Sequence, residues 1–209
     1  MLSSKRSLEC VLIATFSFSL LACASNSPNT FRSDCGYFEL QGDKPLTFSV
    51  ENSTEANLSG VICSGSLDAF YDMVERFPEI KTLNIDVIEG SADDEVNLLL
   101  SREIHDLGMN THLNHDGLIA SGGVDLFLSG VKRSADDQAP KMGVHSWGSS
   151  DDMEGNQIPK SHPFHEEYLS YYRYIGIDPE FYWFTLNAAS ADDIHWMNAA
   201  EISKYNVLN

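Results

Sequence analysis

A serine followed by two glycines, Ser121-Gly122-Gly123, separates two apolar stretches of the sequence. The stretch Leu118–Ala120 is typical of a strand, and Gly122–Val131 is typical of a helix. A serine hydroxyl at the mouth of a helix can act as a nucleophile, because the free N–H groups and the helix dipole favour a developing oxyanion. The glycines would let the backbone approach a ligand closely. In the alternative interpretation Ser121 only caps the helix, a common role for serine.

The elements that must position this serine alternate between strand and helix patterns, which predicts an α/β fold with parallel strands joined by helical crossovers. In such folds ligands bind where strands end and helices begin, which is where Ser121 is predicted to lie. Strands are predicted at Tyr37–Leu40, Leu46–Val50, Gly60–Cys63, Lys81–Ile88, Thr111–Leu113, Leu118–Ala120 and Lys141–His145. Helices are predicted at Ser66–Phe77, Asp93–Leu107, Gly122–Val131, Pro163–Ile175, Pro179–Asn187 and from Asn198 onward.

Length and charge narrow the classes of function. The 209 residues, 43% of them hydrophobic, suffice for one ordinary domain with a core. The formal net charge of -18 excludes nucleic acid as a partner bound through phosphate neutralisation. No internal repeat is evident.

The first 22 residues have the pattern of a secretory signal peptide. A short basic start at Lys5 and Arg6 precedes an apolar stretch, Cys10 to Leu21, that is too short to span a bilayer. The stretch ends in Leu20-Leu21-Ala22-Cys23, which resembles the bacterial lipobox and implies cleavage before Cys23 and lipidation of its thiol. The alternative is a plain signal peptide with a chance cysteine.

Residue Ala24, where an aspartate would favour retention at the inner membrane, implies an outer-membrane lipoprotein facing the periplasm. Residues 23–34 are then the lipidated cysteine and a polar tether, residues 35–209 form the domain, and the lipid anchor is the only membrane contact. An oxidising compartment and two remaining cysteines predict a disulfide between Cys35 and Cys63, with two separate buried thiols as the alternative.

Four segments, taken in order, resemble the ClpP/crotonase superfamily and more narrowly its small exported ClpP-like proteins. They are Ile85–Ile104, Ile119–Arg133, Met142–Trp147 and Asp193–Asn209. The resemblance covers roughly residues 60–209. It implies a ββα superhelix with a mostly parallel sheet and crossover helices.

The resemblance also implies a mechanism. Ser121 would be the nucleophile, His145 the general base and later the general acid, and Asp193 the acid that orients the imidazole, with Asp192 as the fallback. The N–H groups of Gly90 and Gly122 would form the oxyanion hole. The expected protein is an envelope-anchored serine hydrolase that acts on a peptide bond or, second, on another acyl bond.

Two other functions stay open. The domain could keep the fold and act as a non-catalytic envelope binding or scaffold protein. Less strongly, Val144–Gly148 is close to the nucleophile elbow of α/β-hydrolases, which would make Ser146 the nucleophile.

No cofactor, ATP or metal is implied. The pairs His112/His115 and His162/His165 have helical spacing but lack a third ligand, so surface histidines are predicted. The aromatic residues of Tyr168–Tyr174 and Phe181–Phe184 are predicted to pack in the core. An exposed aromatic face there would indicate self-association, such as a homo-oligomer, or an apolar substrate.

Overall fold

A computed structural model describes residues 28–148 and 153–209. The predicted signal peptide, residues 1–22, and the predicted lipidation site Cys23 lie outside the described residues. A search of the described helices finds none with the length and apolar character needed to cross a bilayer.

One sheet organises the described residues, with strands in the order β1-β2-β3-β4-β5-β7-β8 and β6 alongside β5. Its strands are β1 (Thr30–Arg32), β2 (Thr47–Val50), β3 (Glu55–Ser59), β4 (Thr82–Ile88), β5 (Asn110–Ala120), β6 (Arg133–Ala135), β7 (Lys141–Val144) and β8 (His195–Trp196). The central pairs β3–β4, β4–β5, β5–β6 and β5–β7 are parallel. The predicted α/β class with a mostly parallel sheet is therefore confirmed.

The helices connect and cover these strands. They are α1 (Tyr37–Leu40), α2 (Ser66–Arg76), α3 (Asp94–Asp106), α4 (Gly122–Leu128), α5 (Glu166–Tyr174), α6 (Glu180–Ala188) and α7 (Ala199–Lys204), with 3-10 turns at Gly155–Gln157 and Pro163–His165. Helices α2 and α3 are the crossovers between the parallel strands β3, β4 and β5. Helix α3 begins at a side-chain cap, since the Asp93 carboxylate accepts the Val96 N–H at 3.0 Å.

Two of the predicted strands are wrong. Tyr37–Leu40 is the short helix α1, and Tyr37 and Phe38 are 84% and 89% exposed, so this apolar run has no sheet face to pack on. The strand predicted at Gly60–Cys63 lies earlier, at Glu55–Ser59. Gly60 follows it with a positive φ of 113°, and a backbone turn of this kind ends a strand.

Strand β5 is longer than predicted. Thr111–Leu113 and Leu118–Ala120 belong to one strand, in which Leu113 pairs with Ile85 but Leu118 already pairs with Val87. The extra residues form an irregularity that includes Asp116, whose φ is 59°. Beyond it the strand resumes its pairing with β4, and it ends at the candidate serine.

The polar segment predicted as a tether is partly inside the fold. Thr30–Arg32 pairs antiparallel with β2, and the buried Ser33 hydroxyl donates to the Leu46 carbonyl at 2.7 Å. The polar composition of this segment predicted a tether and not a strand. Cys35 and Cys63 form a disulfide with a Cα–Cα separation of 5.8 Å, which ties the chain after β1 to the turn before α2.

The two glycines after Ser121 are required by close packing, which gives a first testable prediction. A Cβ on Gly123 would lie 2.4 Å from the Ile88 carbonyl oxygen. Because both partners are backbone, Gly123→Ala must displace α4 from β4, and we expect a loss of about 1–3 kcal/mol in the free energy of unfolding.

Urea unfolding followed by circular dichroism measures this loss. Gly36→Ala is the matched control, since a Cβ there meets nothing closer than 3.6 Å. Equal midpoints for the two variants would contradict the packing assignment.

Candidate active site

Ser121 and His145 lie at the carboxyl ends of two adjacent parallel strands. Ala120 of β5 pairs with Gly143 of β7, and the Ser121 N–H donates to the Gly143 carbonyl at 3.0 Å. Both residues line the same pocket, a small cavity of roughly 50 Å³ that is partly open to solvent. The sheet register therefore brings together two residues that are 24 positions apart in the sequence.

The backbone of Ser121 has an uncommon conformation, with φ 50° and ψ −131°. Residues other than glycine rarely adopt it, and it costs on the order of 1–3 kcal/mol when the surrounding structure enforces it. Ser121 occupies the N-cap position of α4, yet its side chain makes no capping hydrogen bond. The interpretation of Ser121 as a simple helix cap therefore finds no support, and the hydroxyl stays available to the pocket.

Gly90 lies directly beside Ser121. A Cβ on Gly90 would be 3.4 Å from the Ser121 Cβ and 3.7 Å from its Oγ. Within the described part of the chain, the Gly90 and Gly122 N–H groups have no backbone acceptor, and Gly122 is the first residue of α4, where helix N–H groups are free. Two free donors near one hydroxyl are the minimum for an oxyanion hole.

The double glycine also has a structural role that the sequence did not reveal. A Cβ on Gly122 would lie 2.3 Å from the Ser91 Oγ and 2.8 Å from the Asn97 Nδ2, and Asn97 donates to the Gly122 carbonyl at 2.9 Å. The sequence predicted that the small glycine would let a ligand approach the backbone. In the structure, the side chains of Ser91 and Asn97, at the start of α3, occupy that space instead. This contact fixes the turn that presents Ser121.

His145 has no acidic partner in the described residues. Its Nδ1 is buried there without a hydrogen-bond partner, and no hydrogen bond joins it to Ser121. Asp193 and Asp192 are exposed and do not line the pocket, and the Asp193 carboxylate accepts the N–H of Ile194 at 2.8 Å. The role of Asp193 as the orienting acid stays a prediction that these contacts do not support.

The path of the chain explains where Asp193 lies. Strand β8 pairs antiparallel with β7, and Ile194, just before it, packs against the β7 backbone: a Cβ on Gly143 would be 2.7 Å from the Ile194 Cγ2. Ile194, and not Asp193, therefore faces the sheet. The carboxylate of Asp193 stays in solvent.

The sequence analysis missed the acidic and aromatic part of the pocket. Besides Ser121, Gly122 and His145, the pocket is lined by Asp94, Val124, Asp125, Val144, Trp147, Tyr168, Tyr172, Tyr182 and Thr185. Asp125 is 9% exposed, and the Tyr172 hydroxyl donates to its Oδ1. Burial raises the pKa of Asp125 to about 7. A lone acid in the apolar run Gly122–Val131 was the pattern that could have revealed it.

Hydrogen bonds order the aromatic wall of the pocket. Tyr168 donates to Asp94 at 2.8 Å, and the Tyr182 hydroxyl accepts the Trp147 N–H at 2.9 Å. The same hydroxyl lies 2.7 Å from the Nδ1 of His165, which is fully buried. The prediction of a surface histidine is wrong for His165, because Tyr182 satisfies its polar edge inside the domain.

Ser146 and Glu89 do not contribute to the pocket. Ser146 is fully buried and its Oγ lies 3.3 Å from both the Trp147 carbonyl and the Asn156 N–H, so it lacks the exposure of a nucleophile elbow. Glu89, which precedes Gly90, is exposed and lines a different surface depression with Val87.

One group of side chains has the composition of a metal site within the described residues. Potential ligand atoms of His115, Asp116 and Asp137 lie within 4.8 Å of one another. Asp137 accepts from the Asp116 N–H at 2.9 Å and lies 2.7 Å from the His115 Nδ1, which raises the pKa of His115. These contacts form a largely exposed network beside the irregular part of β5.

Comparison with known proteins identifies similar folds only. No protein-family model and no curated protein matches the chain. The fold is similar to a membrane-bound stomatin-specific protease, solved as a mutant with a substrate peptide, at TM-score 0.44 and 13% identity over 68% of this chain. The chain spans 65% of that protein, less than two thirds.

Two further solved structures are similar. The ClpP protease catalytic domain from Plasmodium falciparum has TM-score 0.46 and 16% identity, covering 75% of this chain and 80% of that one. An enoyl-CoA hydratase/carnithine racemase from Magnetospirillum magneticum has TM-score 0.41 and 15% identity, covering 83% of this chain and 71% of that one. At these values the similarities identify neither a catalytic residue nor an activity.

The strained backbone at Ser121 predicts an unusual order of stabilities. Elsewhere in a helix, glycine destabilises relative to alanine by about 0.5–1 kcal/mol. At position 121 glycine relieves the positive φ of 50°, so we expect Ser121→Gly to be more stable than Ser121→Ala by about 1 kcal/mol. Urea unfolding of the two variants measures the difference, and an Ala variant at least as stable as the Gly variant would show that the backbone is not strained.

The buried acid predicts a pH dependence of stability. Asp125 has a pKa of about 7 in the folded protein against an ordinary 3.8. Its stabilising contribution is therefore fully present below pH about 3.8 and is lost as the pH rises through about 7. We expect Asp125→Asn, which cannot ionise, to gain stability relative to the wild type on going from about pH 5 to about pH 8, by more than about 1 kcal/mol.

Unfolding free energies at the two pH values test this expectation. Asp72→Asn, a change at an exposed position on α2, is the control and should show no such gain. A pH-independent difference between Asp125→Asn and the wild type would contradict the ionisation of a buried Asp125.

Proposed function

We propose that the protein is a serine-dependent hydrolase of the ClpP/crotonase type, with a peptide bond as the first candidate substrate and another acyl bond as the second. One observation carries the proposal: an uncapped hydroxyl on the strained backbone of Ser121 shares a pocket with His145. The ordered resemblance of four sequence segments and the mostly parallel α/β fold support it.

The geometry supports a two-step acyl transfer. His145 removes the proton from the Ser121 hydroxyl as its oxygen attacks the carbonyl carbon, and the N–H groups of Gly90 and Gly122 stabilise the tetrahedral oxyanion. His145 then protonates the leaving group, and a water molecule hydrolyses the acyl-enzyme by the same route. Formation of the Ser121–His145 hydrogen bond accompanies substrate binding, since catalytic hydrogen bonds often tighten only in the complex.

Among the described residues, no carboxylate contacts His145 to orient its ring. Asp193 serves only if the segment before β8 moves, because its carboxylate now binds the neighbouring N–H. A serine–histidine pair that uses the oxyanion donors is therefore the minimal machinery proposed here.

We also propose that the domain is exported and held at the outer membrane by a lipid on Cys23. The sequence of residues 1–24 supports this location. The disulfide between Cys35 and Cys63 is of the kind that persists in oxidising compartments.

A second function has an observation of its own. His145 keeps a buried Nδ1 without a partner in the described residues, and it makes no hydrogen bond to Ser121. That state suits a non-catalytic binding protein in which the pocket holds a ligand without reacting with it.

Labelling with a serine-directed fluorophosphonate tests the hydrolase. We expect the full-length chain to be labelled, Ser121→Ala to lose all labelling, and His145→Gln to slow it by roughly 10²–10⁴-fold because the general base is lost. Asp193→Asn should stay within about twofold of the wild type, since an exposed carboxylate that binds its own chain contributes little. Rates from gel fluorescence over time provide the measurement.

Ser203→Ala, at an exposed serine of α7, is the matched control and should label like the wild type. Labelling of Ser121→Ala as strong as that of the wild type would exclude Ser121 as the nucleophile. A wild-type chain that does not react at all would leave the binding function as the better assignment.

A further inference from the structure

We propose that the pocket beside Ser121 binds a cation, so that the substrate carries a primary alkylammonium or guanidinium group close to the scissile acyl bond. This inference rests on the proposed hydrolase for its catalytic meaning. The binding of a cation, by contrast, is inferred from the residues that line the pocket.

The pocket holds a buried carboxylate without a basic partner. Asp125 is 9% exposed and lines the pocket, yet no lysine, arginine or histidine forms an ion pair with it among the described residues. Its Oδ1 accepts from Tyr172, whereas its Oδ2 has no donor in that part of the chain. Buried carboxylates are ordinarily paired or protonated, so the missing partner is one that a ligand can supply.

Apart from Ser121, His145 and the Gly122 N–H, which belong to the proposed catalytic site, the polar hydrogens of the pocket wall are already used. The Tyr168 hydroxyl donates to Asp94, the Tyr172 hydroxyl donates to Asp125, and the Trp147 N–H donates to Tyr182. Thr185 donates to the Tyr182 carbonyl at 2.8 Å. The pocket wall therefore presents carboxylate oxygens as acceptors and offers few donors, which favours a ligand rich in N–H groups over an anion.

The aromatic rings add a second attraction for a cation. Tyr168 and Tyr182 are stacked, with ring centroids 5.4 Å apart and planes inclined by 11°. Tyr172 and Trp147 complete the aromatic part of the lining. Ring faces attract ammonium and guanidinium groups, and the attraction grows when water is excluded.

The position of the acid fits a substrate side chain. Asp125 follows Ser121 by four residues at the start of α4, so the two lie about one helical turn, roughly 6 Å, apart along the axis. A carbonyl carbon attacked by Ser121 would thus have a neighbouring alkyl chain of a few carbons directed at the carboxylate. Lysine-like or arginine-like side chains have this length.

Binding should weaken in acid. Asp125 must be ionised to attract the cation, and its pKa in the empty pocket is raised to about 7, so affinity falls as the pH drops below about 7. The titratable groups that surround Asp125 are Asp94, His145, Tyr168, Tyr171, Tyr172 and Tyr182. Burial raises the pKa values of these four tyrosines above their ordinary value, so the tyrosines stay neutral around pH 7.

Butylammonium is the probe, with butanol as its neutral analogue and butyrate as its anionic analogue. In the full-length chain in detergent, we expect butylammonium to slow fluorophosphonate labelling of Ser121 and the two analogues to have no effect at the same concentration. Asp125→Asn keeps the acceptor for Tyr172 and should weaken this protection by roughly 10-fold to 100-fold. Asp94→Asn should weaken it less, because Asp94 is exposed.

Binding without catalysis is measured separately. Butylammonium should change the tryptophan fluorescence of Ser121→Ala in a saturable way, and Trp147→Phe should remove the change. Asp72→Asn is the control and should bind like the wild type. Equal protection by butanol, or undiminished binding by Asp125→Asn, would overturn the cation pocket.

The two proposals fail in distinguishable ways. Saturable, Asp125-dependent binding in a chain that never reacts with the fluorophosphonate would keep the cation pocket and exclude the hydrolase. Labelling of Ser121 that no cation affects would keep the hydrolase and exclude the cation pocket.

Discussion

The parallel pairing of β5 with β7 is the constraint on which the candidate site depends. The hydrogen bond from the Ser121 N–H to the Gly143 carbonyl extends this pairing one residue past the end of β5, where the chain turns into α4. That bond ties Ser121 to the end of β7, so that Val144, the last residue of β7, and His145, which follows it, come to the same pocket as the serine. A parallel pair ends at one edge of a sheet, so residues distant in the sequence meet there without a dedicated loop.

Tight glycine packing makes the turn rigid. Gly122 contacts Ser91 and Asn97, and Gly123 lies against the backbone of Ile88, so α4 cannot move without moving β4 and α3. These contacts oppose the strain at Ser121, which would otherwise relax by rotation of the turn. The same segment of β4 leads to Gly90, which lies beside Ser121 and whose N–H has no backbone acceptor among the described residues. One set of backbone contacts thus positions both the hydroxyl and the donors proposed for its oxyanion.

The sequence pattern predicted those helices and strands whose structure is determined by their own residues. The apolar run of β4, the acid-capped start of α3 and the serine-glycine junction all follow from short-range physics, and each was found within a residue or two. Prediction failed where partners decide: Tyr37–Leu40 has strand-like residues but no sheet to join, and β8 is a strand only because β7 offers an edge. Asp125 was missed for the same reason, since its importance comes from the aromatic helices that fold over it from residues 166–188.

The pocket contains an electrostatic conflict that ties substrate binding to chemistry. An ionised Asp125 one turn from Ser121 would oppose the negative charge of a tetrahedral oxyanion, and Asp94 adds to this repulsion. A cation bound between the two acids would neutralise them when the acyl group arrives. The buried carboxylate would then disfavour reaction with ligands that lack the cation, which is selectivity through repulsion as well as attraction. The absence of a protein cation beside Asp125 among the described residues is then a functional feature, because an internal lysine there would remove both the repulsion and the discrimination.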